Sequence, residues 1–434
     1  MKYFNFKLFF VSVIFVCSGI AINAQVLIEA KPENAGMSAQ KLELLDDFIQ
    51  KYVDDNKVPG GVFLVARKGN IVYNKSFGSR NDKNETYKQN DIFRIASMTK
   101  AVTTVAIMQL YEQGKLGLNE AVQKYIPAFK DQQVIDSFDK TDSSYTTVPV
   151  KRPVTIRNLL THTSGISYGG FNPGKIQIIY NKFNLNEFGL SHPTLSTEEM
   201  ANKIAKAPLV FQPGEKFMYG LNMDVLGRVI EVVSGIGLDE YFRLNIFEPL
   251  GMEDTYFYLP EGKHARLVPV YNQTKEGFKL AEEKSEFGGL NYPKAQELIN
   301  FAGGGGLSST ALDYARFIQA LVNNGNYNGI RLLGRKTIEI MTSDQMIKLN
   351  SKGTGFSKNP GETFCLGFSL LTEDARGKNS KSVGTYEWGG YFNTKFFIDP
   401  REELIFVGMT QIVPFYHGDF WNKMYAIIYG AIND

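Results

Sequence analysis

A serine and a lysine three residues apart, Ser97 and Lys100, stand in the run Phe93-Arg94-Ile95-Ala96-Ser97-Met98-Thr99-Lys100-Ala101. On a helix such a pair shares one face, and the serine Oγ and lysine Nζ come within reach of each other. A serine hydroxyl becomes a competent nucleophile only when a base takes its proton. A lysine is such a base where burial or neighbouring charge disfavours the ammonium form. A helix N-terminus also favours negative charge developing on the serine oxygen. S-x-x-K therefore outlines a nucleophile with its base, and acyl transfer is the chemistry that suits it. The same spacing also arises from a capping serine and a surface lysine, so partners elsewhere in the chain decide its meaning.

The elements that must position this pair are legible on both sides of it. Met98, Val102, Val105, Met108 and Leu110 recur near helical spacing, which predicts a helix over 101–113 stopped by Gly114. Upstream, 37–53 reads as an amphipathic helix broken by Pro59-Gly60-Gly61. Runs at 62–66 and 71–77, joined by Arg67-Lys68-Gly69-Asn70, read as a β-hairpin. Helices are expected at 155–160, 198–207, 223–234, 312–321, 336–341 and 421–431, and short strands at 365–371, 394–398 and 404–409. Residues 136–147, rich in Asp, Ser and Thr, read as an exposed loop. The segment carrying Phe171, Tyr180, Phe183 and Phe188 reads equally as a wall over a pocket or as a helical excursion with core aromatics. Gly303 to Gly306 is a four-glycine run suited to close backbone approach. Strands thus cluster near both chain ends and helices fill the middle. The expected division is one α/β lobe from 25–118 and 300–434, with a helical lobe at 119–299.

Composition narrows the class. The 434 residues are 43 % hydrophobic and 21 % charged, which suits a large globular core. Lys2 and Lys7 precede an apolar run from Leu8 to Ile22, and Asn23-Ala24 resembles a cleavage point. Residues 1–24 therefore read as a signal peptide, implying a periplasmic or secreted protein with no stable membrane insertion after cleavage. Without them the chain is formally neutral, and no basic patch with interleaved aromatics suggests a nucleic-acid partner. Cys17 leaves with the leader and Cys365 remains alone, so no intramolecular disulfide forms and Cys365 packs as a small hydrophobe.

Other chemistries lack their residues. The four histidines, His162, His192, His264 and His417, have no metal-ligand spacing, and H-E-x-x-H is absent. No P-loop or G-x-G-x-x-G follows a strand. Neither a metal nor another cofactor is expected. His162, within Thr161-His162-Thr163-Ser164-Gly165, fits a hydrogen-bonded turn better than a triad base.

Two further stretches complete the pattern: Tyr219-Gly220-Leu221-Asn222-Met223-Asp224 and Glu387-Trp388-Gly389-Gly390-Tyr391. With Ser97-Met98-Thr99-Lys100, Leu160-Thr161-His162-Thr163-Ser164-Gly165 and Gly304-Gly305-Gly306-Leu307-Ser308, the chain resembles the serine β-lactamase and penicillin-binding-protein superfamily over 33–430. Within it the class C β-lactamase-like group, including the family VIII carboxylesterases, is the nearest likeness. The resemblance implies an α/β (α+β) β-lactamase-like fold, an antiparallel sheet from both chain ends flanked by helices with a mostly helical insertion. It implies Ser97 as acylated nucleophile, Lys100 and Tyr219 as the proton-transfer pair, and the backbone N–H groups of Ser97 and Tyr391 as oxyanion hole. Asn222, Trp388, Gly389 and Gly390 are the implied substrate contacts. Two positions depart from the superfamily pattern. Leu221 stands where members acting on β-lactams or D-Ala-D-Ala peptides carry Asn, and Trp388 where they carry Lys or His. Both changes remove polar contacts to an amide-and-carboxylate substrate, and both occur in family VIII esterases. The expected reaction is hydrolysis of a small-molecule ester, or failing that an amide. The alternatives are a β-lactamase or D-alanyl-D-alanine carboxypeptidase, and a non-catalytic penicillin-binding-like sensor.

Overall fold

A computed structural model describes residues 26–81, 85–185, 190–282, 290–357 and 361–434. The leader expected at 1–24 and the ring of Phe188 lie outside them.

Eight strands form one sheet: β1 (Ile28–Glu29), β2 (Gly60–Arg67), β3 (Asn70–Gly78), β4 (Glu362–Phe364), β5 (Ser369–Leu371), β6 (Tyr386–Gly389), β7 (Lys395–Asp399) and β8 (Leu404–Met409). Their order is β1-β3-β2-β8-β7-β6-β5-β4. Every pair is antiparallel except β1 with β3. The join between chain ends is β2 against β8, from Leu404 opposite Arg67 to Met409 opposite Val62. Every residue of these two strands is buried. That is why their sequences are nearly continuous apolar runs rather than alternations.

Helices cover both faces. On one, α1 (Ala39–Asp54) and the closing helix α6 (Asp419–Gly430) set Leu42, Leu45 and Ile49 and Phe420, Met424 and Ile428 against Phe63, Phe397 and Phe406 of the sheet. On the other face lie α2 (Thr99–Glu112) and α5 (Ala311–Val322), with α3 (Thr197–Lys206) and α4 (Asn222–Ser234) beyond them. Residues Thr99 to Leu110 of α2 are all buried, so this helix runs through the interior with no solvent face. A helix hydrophobic all round occupies such a central position.

The mixed α/β architecture and antiparallel sheet agree with the expected fold. Two local readings need correction. The strand expected at 365–371 is instead a hairpin, β4 and β5. Gly367 turns it at φ +81°, and a Cβ there would sit 2.1 Å from Thr104 Oγ1 of α2. Residues 136–147 are not simply a loop. Gln133–Phe138 and Tyr145–Pro149 pair as an antiparallel ribbon, because Tyr145-Thr146-Thr147-Val148 is a β-favouring run beside the polar tip. A second ribbon, Tyr271–Thr274 with Gly277–Leu280, falls in the same middle stretch, among its helices. The lone Cys365 is buried.

Candidate active site

The serine is delivered by a single 3-10 turn, Ala96–Met98, that runs straight into α2. Ala96 stands at φ +41°, a left-handed conformation costing an alanine on the order of 1 kcal/mol. The turn is braced by Ile95 N–H donating to Leu307 O at 3.0 Å and by Arg94 pairing with Ser308. The glycine run therefore passes directly alongside. A Cβ on Gly303 would lie 2.5 Å from Met223 O, and one on Gly304 2.6 Å from Asp224 Oδ2. Only glycines let this backbone come so close to the start of α4.

Lys100 is 1 % exposed, and three oxygens lie within hydrogen-bonding reach of its amine. Nζ donates to Ser97 Oγ at 3.2 Å, to Tyr168 Oη at 3.2 Å and to the Gly304 carbonyl. It also lies 4.7 Å from the centroid of the Tyr219 ring. Tyr219 Oη accepts from the Trp388 indole N–H at 3.4 Å. The fold thus gathers Ser97, Lys100 and Tyr219, but the phenol that Lys100 hydrogen-bonds is Tyr168. Burial, then the nearby Asp224 carboxyl and Tyr219, push the Tyr168 phenol well above its usual pKa, which keeps it protonated. Sequence reasoning passed over Tyr168. Its signal was its place three residues beyond Gly165, at the end of the His162-Thr163-Ser164-Gly165 turn.

Asn222 does not line the cavity beside Ser97. As the first residue of α4 it is 0 % exposed. Its Nδ2 donates to His162 Nδ1 at 2.8 Å, and its Oδ1 accepts from Ser164 Oγ at 2.5 Å. The expected substrate contact is instead a clamp on the turn before Tyr168. His162, at φ +53°, accepts on Nδ1 and is held neutral by burial and by Lys100. Its ring packs 4.7 Å from that of Tyr219. It braces the site and has no serine to activate.

Asp224 lies on the same wall. Oδ1 accepts from Gly304 N–H at 3.2 Å, and burial raises its carboxyl to about 6, against the pull of Lys100 and that N–H. An unfolded Asp ionises near 3.8, so this group's stabilising contribution is complete below that pH and is lost as pH rises through 6. Asp224→Asn removes the titration. Urea unfolding at pH 4 and pH 8 should show the variant gaining about 2 kcal/mol on wild type between the two.

The facing wall is the end of β6. Gly390 N–H donates to Thr394 O at 2.8 Å, closing the turn into β7. A Cβ on Gly390 would lie 2.4 Å from Ile95 O, so this turn abuts the residue two before Ser97. Trp388, Gly389, Gly390 and Tyr391 line a cavity of about 490 Å³ together with Ser97 and Tyr219. Phe171 and Leu190 also line it, so the segment left open in the sequence contributes to its wall. Among the described residues no cluster of His, Cys, Asp and Glu could hold a metal ion, and no helix is long and apolar enough to cross a membrane.

The site thus presents a serine hydroxyl hydrogen-bonded to a buried amine, in a cavity walled by aromatic rings. Comparison with known proteins points the same way. The family model described as Beta-lactamase matches residues 45–424. Lovastatin esterase of Penicillium rubens is 30 % identical over 397 residues, covering 86 % of this chain and 94 % of that protein. Esterase EstB of Burkholderia gladioli is 26 % identical over 372 residues, covering 82 % and 86 %. Among solved structures, EstCE1, a hydrolase with promiscuous acyltransferase activity, aligns with a TM-score of 0.77 at 25 % identity, over 90 % of this chain and 99 % of that one.

Proposed function

This chain belongs to the Beta-lactamase family and is a serine hydrolase, and from that premise we propose that it cleaves carboxylic esters through an acyl-enzyme on Ser97. Lys100 and Tyr219 take the Ser97 proton as Oγ attacks the ester carbonyl. Negative charge collects on the carbonyl oxygen, facing the backbone N–H groups of Ser97 and Tyr391. Collapse breaks the bond to the alcohol oxygen, which leaves with the proton held by the Lys100–Tyr219 pair. Water then repeats the sequence, freeing the acid and returning the proton to Ser97.

The observation that carries this reading is the 3.2 Å contact between Ser97 Oγ and Lys100 Nζ, in a chain whose Leu221 offers a substrate amide no hydrogen bond. Leu221 is 2 % exposed and Asn222 is committed to His162 and Ser164, so neither presents a polar group to a β-lactam or peptide amide. The names of the esterase relatives support the same preference. Purified protein should turn over p-nitrophenyl acetate and butyrate with kcat/KM at least about 10-fold above that for nitrocefin. Nitrocefin as the better substrate would move the assignment to a β-lactamase. No ester turnover, with Ser97 unlabelled by a fluorophosphonate, would remove the hydrolytic reading. An acyl group retained on Ser97 in mass spectra would indicate a sensor.

The same intermediate is open to attack by an alcohol, as the acyltransferase activity in the description of EstCE1 suggests. Ester exchange in the presence of methanol would show it. We further propose that the protein is exported, residues 1–24 being removed as a leader.

A further inference from the structure

The cavity that Ser97 lines is also lined by Gly418, Trp421, Asn422 and Tyr425, in or just before α6, and by Lys381, Glu387 and Lys395. Lys395 opens β7 opposite Gly389. Alternation along β7 sends Phe396 and Ile398 to the α2 face and Phe397 to the α6 face, so Lys395 shares the α6 face. Its stem lies across Gly389: a Cβ on that glycine would meet Lys395 Cδ at 2.8 Å and Nζ at 2.9 Å. The absent side chain at 389 is what lets the ammonium lie over the strand, where it lines the same cavity as Ser97.

The charges around it do not balance. Lys381 Nζ is paired with Glu387 and lies 5.0 Å from the centroid of the Tyr425 ring. Glu387 is thereby occupied, and among the described residues no carboxylate and no hydrogen-bond acceptor is bonded to Lys395 Nζ. Desolvation lowers the Lys395 pKa, with Glu387 opposing and Lys381 adding to the shift. A partly dehydrated cation without a partner costs free energy that an incoming anion recovers.

We infer that Lys395 is a specificity residue that binds a carboxylate carried by the substrate, so that the preferred esters bear a negative charge away from the scissile bond. The inference deepens the ester-hydrolase reading and rests on it for the word substrate. The binding of a carboxylate at Lys395 can be measured without any turnover.

The chain has two tryptophans, Trp388 and Trp421, and both line this cavity, so intrinsic fluorescence reports its occupancy. Wild type, Lys395→Met and Lys395→Arg are titrated with 4-phenylbutyrate and with the neutral 4-phenylbutanol. The carboxylate should give a saturable change in wild type. Lys395→Met should weaken it by about 10-fold or more, with the alcohol within about 2-fold, and Lys395→Arg should restore most of the difference. Equal weakening of both probes, or none, overturns the inference. In parallel, kcat/KM is compared for 4-nitrophenyl hydrogen glutarate against 4-nitrophenyl valerate, and for 4-acetoxybenzoate against phenyl acetate. A selective rise in KM in Lys395→Met shows whether the charge sits on the acyl or the alcohol side. Lys395-dependent carboxylate binding without hydrolysis of any ester would retain this site and discard the hydrolase reading. Hydrolysis without such binding would do the reverse.

Discussion

Replacing Ser97 by alanine is expected to lower p-nitrophenyl butyrate hydrolysis by at least about 10⁴-fold. In the proposed mechanism Oγ is the atom that forms the covalent bond, and the other oxygens bonded to Lys100 are poor substitutes for it. The neighbouring oxygens are Tyr168 Oη, protonated and fully buried, and the Gly304 carbonyl. The fold should tolerate the change. Lys100 loses one of three acceptors and keeps the other two, so urea unfolding should shift by no more than about 1 kcal/mol. Activity and stability together make the result diagnostic: a variant that loses both would mean that Ser97 acts mainly as a structural partner of Lys100. Residual turnover within about 10-fold of wild type would place the nucleophile elsewhere, and fluorophosphonate labelling of the variant would locate it.

Much of the scaffold was legible because local periodicity and tertiary packing agree. The hairpin of β2 and β3 turns at Lys68 and Gly69, as the Arg67-Lys68-Gly69-Asn70 stretch predicted. α4 stops where Gly235 adopts φ +80°. The readings failed where a contact distant in sequence decides the outcome. Gly367 divides an apolar run because α2 presses Thr104 against it, and no local pattern encodes that pressure. Asn222 looked like a substrate contact from its place after Tyr219, but the first turn of α4 aims it inward at His162. Tyr168 and Lys395 carry no motif of their own. Each matters through a neighbour, Lys100 in one case and the missing side chain of Gly389 in the other. Motif spacing finds residues that act on substrate more readily than residues that act through another side chain.

The two tyrosines beside Lys100 make opposite predictions, and the larger effect is expected at Tyr219. Tyr219→Phe should lower kcat by about 10³-fold, within the range for removal of a positioned general acid or base. Tyr168→Phe should cost only about 10-fold, because Lys100 keeps Ser97 Oγ and the Gly304 carbonyl as acceptors. The asymmetry follows from what surrounds each oxygen. Tyr219 is half-buried and lines the cavity, and the Trp388 indole N–H gives its oxygen a donor that steadies charge while a proton is in transit. Tyr168 is 2 % exposed, and burial, Asp224 and Tyr219 all oppose its ionisation, so it can donate a hydrogen bond but yields its proton only at high cost. Single-turnover rates with p-nitrophenyl acetate separate the steps: loss of the proton relay slows both acylation and deacylation, whereas loss of an anchor for the lysine acts only through the position of Nζ. A reversed order, with Tyr168→Phe the more damaging, would transfer the relay to Tyr168 and leave Tyr219 as a wall that holds the ammonium by its ring face.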